Sequence, residues 1–324
     1  MKEIVYREYG SPDVLSLEDV PAPAPGDDEV LVKIHATSLN SYDQDLLRGW
    51  PLTARMWGFR RPRNNILGTD IAGQVEAVGR EVTQLQIGDE VFGEISKKYI
   101  SIGWGGFAEY ACIREKNLLL KPANMTFEQA STLPQVGALA LAGLRYNGQI
   151  QPGQKVLLNG AGCGVGTLAV QIAKHFGAEV TGVDSPEKLE LVTSLGADHV
   201  IDYTQADFTQ YGPQYDLIID VATHRSMFDY KRALNPGGAY GVIGRSQARF
   251  SQTVFLAPWI SRFSSKKMGA IGSKPNQGLD LILEVFKDGK VVPIIDSTYP
   301  LSETAQAFRY FAEERVQGKI VITM

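Results

Sequence analysis

The chain has 324 residues, 44% of them hydrophobic, and a formal net charge of −4. That length suits two domains with sizeable cores, and the charge excludes a broad basic surface for nucleic acid. Two cysteines, Cys112 and Cys163, exclude a disulfide framework and a cysteine-rich zinc site, so a reduced, cytoplasmic setting is expected. The residues after Lys2 and Glu3 alternate rather than form a charged-then-apolar leader. No window approaches a membrane span, so no membrane partner is expected.

The first part of the chain reads as β-rich. From 30 to 36, Val30, Val32, Ile34 and Ala36 alternate with Leu31, Lys33 and His35, the period of a half-buried strand. Further short strands are predicted at 73–82, 89–93 and 107–113, set off by glycines such as Gly68, Gly88, Gly103 and Gly106. A compact antiparallel barrel is expected. Arg48, Arg55, Arg60, Arg61 and Arg63 read as a solvated loop, with a phosphate-bearing substrate as the alternative. The stretch 50–66 reads as a substrate gate or as a segment disordered without ligand. Trp50, Trp57 and Trp104 line an aromatic slot or simply pack.

Thr126 is placed to cap a helix over 127–131, and a second helix is predicted over 136–146. From 155 onward strands and helices alternate, with strands at 155–159, 179–183, 199–201, 216–220, 238–243 and 268–272. Six strands with helices between them predict an α/β, doubly wound parallel sheet. The tail holds a helix at 277–287, a strand near 294–299, a helix at 303–314 and a strand at 319–323. It is too short for its own core, so its final helix and strand are expected to return to the N-terminal domain. The expected division is 1–123 with 273–324, and 124–272.

Residues 155–184, KVLLNGAGCGVGTLAVQIAKHFGAEVTGVD, read as strand, glycine turn, helix, strand and terminal acid. Gly160, Gly162, Gly164 and Gly166 allow a sharp turn and close approach of a ligand. The helix behind them presents unpaired amides and a partial positive charge to an anion. Asp184 lies 20 residues beyond Gly164, where a carboxylate reaches a ribose hydroxyl. The turn does not spell Gly-x-Gly-x-x-Gly, because the third position falls on Val165 or Thr167; it runs Ala161-x-x-Gly164-x-Gly166. The candidate contacts of an NAD(P)H cofactor are Gly162, Cys163, Gly164, Val165, Asp184, Ser185, Lys188, Tyr203, Val221, Ile243 and Gly244. Asp184 favours NADH, while Ser185 and Lys188 suit a 2′-phosphate, so use of either cofactor is expected. Cys163 is either a thiol acidified by the helix N-terminus or a small residue tolerated in the turn.

Several segments carry a family resemblance. They are YREYGSPDVLSLEDVPAPAPGDDEVLVKIHATSLNSYDQDLLRG, GTDIAGQVEAVG with GDEVFG, LGADHVIDY at 195–203, and IDSTYPLSETAQAFRYFAEERVQGKIVI. With the glycine turn they stand in order over nearly the whole chain. The chain resembles the medium-chain dehydrogenase/reductase superfamily, in its zinc-free quinone oxidoreductase branch. That resemblance implies a GroES-like β-barrel domain that includes the C-terminal segment, a Rossmann domain, and an active site in the cleft. It also implies a homodimer, with edge strands near 238–243 and 268–272 pairing across a two-fold axis.

The resemblance assigns roles residue by residue. Zinc alcohol dehydrogenases of the superfamily carry a cysteine where this chain reads Ser38-Leu39-Asn40-Ser41-Tyr42-Asp43, and Gly-His-Glu where it reads Gly68-Thr69-Asp70. The four-cysteine lobe is also missing between Gly93 and Gly106. A catalytic zinc needs three protein ligands, and His35, His175, His199 and His224 have no paired ligand spacing. Asn40 occupies a family position near the nicotinamide and either orients substrate or fixes its loop. Tyr42 is a hydrogen-bond or proton donor, or a packing residue, and Asp43 caps a helix over 44–48. Leu139 stands where the family often has threonine, and Gln135 is its nearest substitute.

Oxidising an alcohol requires loss of a hydroxyl proton, which zinc makes easy. Reducing a conjugated C=C places charge on a carbonyl oxygen that hydrogen-bond donors can hold. The expected activity is therefore NAD(P)H-dependent, metal-free reduction of quinones or α,β-unsaturated carbonyls. The alternatives are a zinc-free alcohol or aldehyde dehydrogenase and a non-catalytic NAD(P)H-binding protein.

Overall fold

The computed structural model describes residues 1–95, 105–212, 214–243 and 247–324. Gly103, Trp104 and Gly244 lie outside the described residues, and of Trp57 only the backbone is described. The chain begins β1 (Lys2–Tyr6), β2 (Leu15–Asp19), β3 (Glu29–Ser38), α1 (Ser41–Arg48), β4 (Asp70–Val78), β5 (Glu90–Glu94), β6 (Tyr110–Arg114), β7 (Leu119–Leu120) and α2 (Phe127–Ser131). It continues α3 (Pro134–Leu144), β8 (Lys155–Asn159), α4 (Gly164–His175), β9 (Glu179–Asp184), α5 (Pro186–Ser194), β10 (His199–Asp202), β11 (Tyr215–Asp220) and α6 (Met227–Ala233). It ends β12 (Leu234–Val242), α7 (Gln247–Arg262), β13 (Lys267–Ala270), α8 (Leu279–Lys287), β14 (Ile295–Pro300), α9 (Thr304–Ala312) and β15 (Lys319–Thr323).

Two compact units result: Met1–Gln135 with Lys274–Gln277 and Ile295–Met324, and Val136–Ser273 with Gly278–Ile294. In the first, the sheet order is β14-β15-β3-β4-β5-β7, with β6 also on β3. β3 serves three partners because it is long: besides β4, Glu29–Lys33 pair with β6 and Ala36–Ser38 with β15. Val30, Val32 and Ile34 are buried, as their alternation predicts, and join Ile71, Val75 and Val91 in one core. The sheet is antiparallel except that β14 and β15 run parallel. That departs from the all-antiparallel expectation, and α9 between the two strands is the crossover that parallel pairing requires. A second core holds Tyr6, Leu39, Leu46, Leu47, Phe107, Phe308, Ile320 and Ile322, with the Phe107 and Phe308 rings edge to face at 5.9 Å. The C-terminal strand thus completes the sheet begun by β3.

The second unit is a six-stranded parallel sheet of order β10-β9-β8-β11-β12-β13. Strand order reverses between β8 and β11, the switch point at which such sheets bind ligands. The segment 238–243, expected as an edge, lies in β12, which is paired on both sides; β13 ends the sheet there. The expected boundary at 123/124 also shifts. α2 stays with the first unit because Ser38 Oγ donates to the Ser131 carbonyl at 2.8 Å and His35 stacks on Phe127 at 4.4 Å. α8 joins the second unit: Leu279, Ile282 and Val285 are buried, and Gly137 of α3 lets it approach so closely that an added Cβ would lie 2.5 Å from Ile282 Cδ1.

Candidate functional site

The glycine turn closes β8 onto α4. Gly160 adopts φ 89, a conformation other residues disfavour, and its amide donates to the Val183 carbonyl at 2.9 Å. Gly166 is the closest helix–strand approach, since an added Cβ would lie 2.2 Å from the Gly160 carbonyl oxygen. A Cβ at Gly162 would lie 2.9 Å from Lys188 Cβ. Cys163 caps α4, its Sγ accepting from the Gly166 amide at 3.5 Å. Burial pushes its thiol pKa up, so the acidified-thiol expectation is not met. The helix starts at Gly164, inside the turn.

Asp184 ends β9 and faces the turn. Its Oδ2 accepts from the Gly162 amide at 2.7 Å and its Oδ1 from the Ser185 amide at 2.9 Å. Each oxygen keeps a lone pair for a further donor. Lys188 is buried beside Gly162, while Tyr203 is 45% exposed and stacks near His224. The Val221 amide donates to the Asn159 carbonyl at 2.9 Å, and the Ile243 amide to the Asp220 carbonyl at 2.8 Å. The turn, Asp184, Val221 and Ile243 therefore gather at the carboxyl ends of adjacent strands.

Sequence reasoning missed the network beneath them. Buried Asp220 accepts from Asn159 Nδ2 at 2.7 Å, from the Thr223 amide at 2.8 Å and from the Tyr240 hydroxyl at 2.9 Å. Burial raises its pKa, and these donors pull it back down. Thr223 sits at φ 53, an outlier for a β-branched residue, held by that amide bond. An acid ending a predicted central strand, six residues before the Ser226-x-x-Asp229 capping box, was the available signal.

The first unit gathers a different set. Ser38 of β3 pairs with Asp70 of β4, and Asp70 pairs with Glu94 of β5, so the three form one row across the sheet. Asn40 Nδ2 donates to Asp70 Oδ2 at 3.0 Å and to Thr69 Oγ1 at 3.2 Å, while its Oδ1 accepts from Lys319 Nζ. Lys319 Nζ also donates to the Leu39 carbonyl at 2.8 Å. The Asn40 carboxamide is 2% exposed and fully engaged, which fits the loop-fixing role better than direct substrate contact. Asp43 does not precede its helix: α1 begins at Ser41, and Asp43 caps it from inside, accepting from the Asn40 amide at 2.9 Å and the Gly68 amide at 3.0 Å. Tyr42 is half-buried and packs against the core around Leu39 and Leu46. Gln135 bonds Glu94 through its side chain, and its amide meets Asp70 Oδ2 at 3.4 Å. Leu139 is half-buried in α3.

Electrostatics in this row follow from burial. Desolvation pushes Asp43 to about 7 against its two backbone amides. Asp70 is raised by burial and drawn back by Lys319 and Asn40; Glu94 is raised by burial and by the facing Asp70. Two carboxyls opposite each other on neighbouring strands resist joint ionisation. Asp70 Oδ1 meets no donor among the described residues.

Comparison with known proteins places this geometry. The family model described as alcohol dehydrogenase GroES-like domain matches residues 26–123, and the one described as zinc-binding dehydrogenase matches 195–322. An NADPH-dependent alkenal/one oxidoreductase of Arabidopsis thaliana is 36% identical, over 99% of this chain and 79% of its own. The chain belongs to the medium-chain dehydrogenase/reductase superfamily, as a quinone-oxidoreductase-like member. A chloroplast envelope quinone oxidoreductase homolog of the same plant is 30% identical, over 99% of this chain and 98% of its own. The structure of the quinone oxidoreductase from Coxiella burnetii superposes with a TM-score of 0.89 at 27% identity, covering 100% of this chain and 99% of that one. The two units are the GroES-like and Rossmann-like domains of this superfamily.

The two groups the family implies fit this chain unequally. A nicotinamide dinucleotide fits: small residues line the turn, α4 points its amides there, and Asp184 retains acceptor capacity. A catalytic zinc fits poorly. Asn40 Nδ2 is spent on Thr69 and Asp70 Oδ2, its Oδ1 on Lys319, and although Asp70 Oδ1 meets no donor among the described residues, the buried ammonium on Asn40 opposes a cation. Among the described residues no three His, Cys, Asp or Glu side chains are arranged to hold a metal.

Proposed function

We propose that the protein is an NAD(P)H-dependent reductase of quinones or α,β-unsaturated carbonyls that works without zinc. Its standing as an oxidoreductase follows from its relatives, which include the alkenal/one and quinone oxidoreductases. The observation that carries the metal-free reading is Lys319, whose buried ammonium fills the charge role at the former zinc positions.

Bound nicotinamide supplies the hydride. The chain's residues bind, orient and shield. Gly164 and Val165, at the start of α4, offer backbone amides to the pyrophosphate, while Gly162 and Cys163, whose amides are bonded to Asp184 and to the Gly160 carbonyl, shape the turn around it. Asp184 accepts from the adenosine ribose, with Ser185, Lys188 and Tyr203 around it. Val221 and Ile243 border the nicotinamide half. Asn40 keeps the 38–43 loop in place, and Tyr42, in the first turn of α1, carries a hydroxyl that can donate to a carbonyl oxygen. Both NADH and NADPH are accepted, because Asp184 suits a 2′-hydroxyl while Lys188 suits a 2′-phosphate. Steady-state kinetics with each cofactor test this; a preference above about a hundredfold for either contradicts it.

The working form is a homodimer. Among the described residues β13 ends its sheet, and Phe255 and Trp259 of α7 with Phe263 just beyond it, spaced four apart, are 74%, 67% and 74% exposed. Large apolar side chains in one row mark an association face. Sedimentation of Trp259→Glu beside the parent chain tests it: the parent is expected to be dimeric and the variant monomeric, and a monomeric parent contradicts it.

A further inference from the structure

The arginine run is unused by the proposed reaction. From 46 to 69 the chain carries five arginines and no Lys, Asp or Glu, so a net charge of −4 divides into +5 here and −9 elsewhere. Arg48, Arg60, Arg61 and Arg63 are exposed, and among the described residues none of the four makes an ion pair. Between them stand Trp50, Leu52 and Phe59, exposed to 61%, 59% and 76%. A merely solvated loop has no use for three large apolar side chains within ten residues.

The segment is built rather than slack. The Tyr9 hydroxyl donates to the Gly58 carbonyl at 2.6 Å, and the Tyr9 ring lies against Gly49, where a Cβ would meet it at 2.6 Å. Arg55 stacks over that ring at 4.9 Å and donates from Nε to the Gly49 carbonyl at 2.9 Å. Beyond it, the Tyr6 amide donates to the Asn65 carbonyl at 2.8 Å. One arginine is thus spent on holding the platform and four point their charge outward.

We propose that residues 48–63 are a docking surface for an anionic phospholipid bilayer, with Trp50, Leu52 and Phe59 entering the interface and the four exposed arginines meeting lipid phosphates. Aromatic side chains favour the headgroup level, and arginine stems lie along apolar surface while the guanidinium stays with phosphate. A single soluble phosphate would leave the three apolar side chains in water. A long nucleic acid would also have to meet the rest of the chain, which carries a net charge of −9, whereas a flat bilayer need touch only one patch. Docking goes beyond the redox reading and does not depend on it. It would bring the enzyme to lipophilic substrates where they dissolve.

Flotation of the full-length protein tests the proposal, using phosphatidylcholine vesicles with and without about one-third phosphatidylserine at ~0.1 M salt. The parent chain is expected to float only with the phosphatidylserine vesicles. The variant Arg48→Gln/Arg60→Gln/Arg61→Gln/Arg63→Gln should bind them roughly several hundredfold more weakly, since each of the four basic residues contributes roughly fivefold at such a surface. It should keep the parent's melting temperature and its turnover of a small water-soluble quinone. Trp50→Ser/Phe59→Ser should bind about tenfold more weakly, even in low salt. The proposal is overturned if the parent does not float, if it floats equally on both vesicles, or if the arginine variant binds as the parent does. It is equally overturned if inorganic phosphate displaces the protein beyond an ionic-strength-matched chloride control, or if single-stranded RNA binds more tightly than the vesicles.

Discussion

The glycine turn and the Asn40–Asp70–Lys319 cluster are built by opposite means. In the turn, backbone amides and missing side chains shape the candidate site, and residues within 30 positions supply nearly everything. In the cluster, side chains from β3, β4, β5 and β15 converge, and Lys319 lies 279 residues from Asn40. The first site tolerates no added atoms; the second tolerates no lost charge. The contrast teaches that the glycine turn is specified locally and the Asn40–Asp70–Lys319 cluster by the completed sheet.

The largest expected effect of breaking this contrast is at Gly166. Gly166→Ala puts a methyl 2.2 Å from a backbone oxygen, so strand and helix must part. Alanine gains about 1 kcal/mol of helix propensity there, but a backbone clash costs more, and a net loss of about 2–4 kcal/mol is expected. NAD(P)H titration should show affinity falling beyond a hundredfold or so. A variant that binds as the parent does would show that the helix approach is not what shapes the turn.

Lys319→Met comes next. It strands buried Asp70 and the Asn40 carbonyl oxygen, and breaking such a pair costs about 3–5 kcal/mol. Urea denaturation reads this directly. Adding Asp70→Asn removes the orphaned charge and should recover part of the loss; equal instability of single and double variants would mean that the two residues are not coupled.

How far sequence could reach follows the same division. The six parallel strands, α2 behind Thr126 and the turn were legible because each is marked by local periodicity, a cap or glycine spacing. The 38–43 loop was recognisable as a position, but its partners were not. Nothing near Lys319 in sequence says that its ammonium will meet Asn40, since β15 reaches β3 only once the sheet is complete. Register was likewise unreadable, and it alone makes Asp70 face Glu94. The expected edge at 238–243 failed because an apolar run says nothing about whether one or two neighbours pair with it.

The carboxyl row gives a smaller, pH-dependent effect. Glu94 is raised above its ordinary 4.5 by burial and by Asp70, so the folded state holds its proton more tightly than the unfolded state does. Stability from this group is full below about pH 4.5 and is lost as pH rises through its folded value. Glu94→Gln should flatten the fall in melting temperature between pH 4.5 and about 8; an unchanged slope would place the titrating group elsewhere. Asp184→Ser should have the mildest effect, shifting the NADPH-to-NADH ratio of kcat/KM upward by about tenfold through loss of the ribose acceptor. A ratio that does not move would assign cofactor choice to Lys188 and Ser185.

The most direct test of the account is turnover of a quinone and an α,β-unsaturated ketone with NAD(P)H before and after exhaustive chelation. The account predicts an unchanged rate, a saturated ketone as the enone product, and no stimulation by added zinc. A rate that collapses with chelator and returns with zinc, or turnover confined to alcohols, would contradict it.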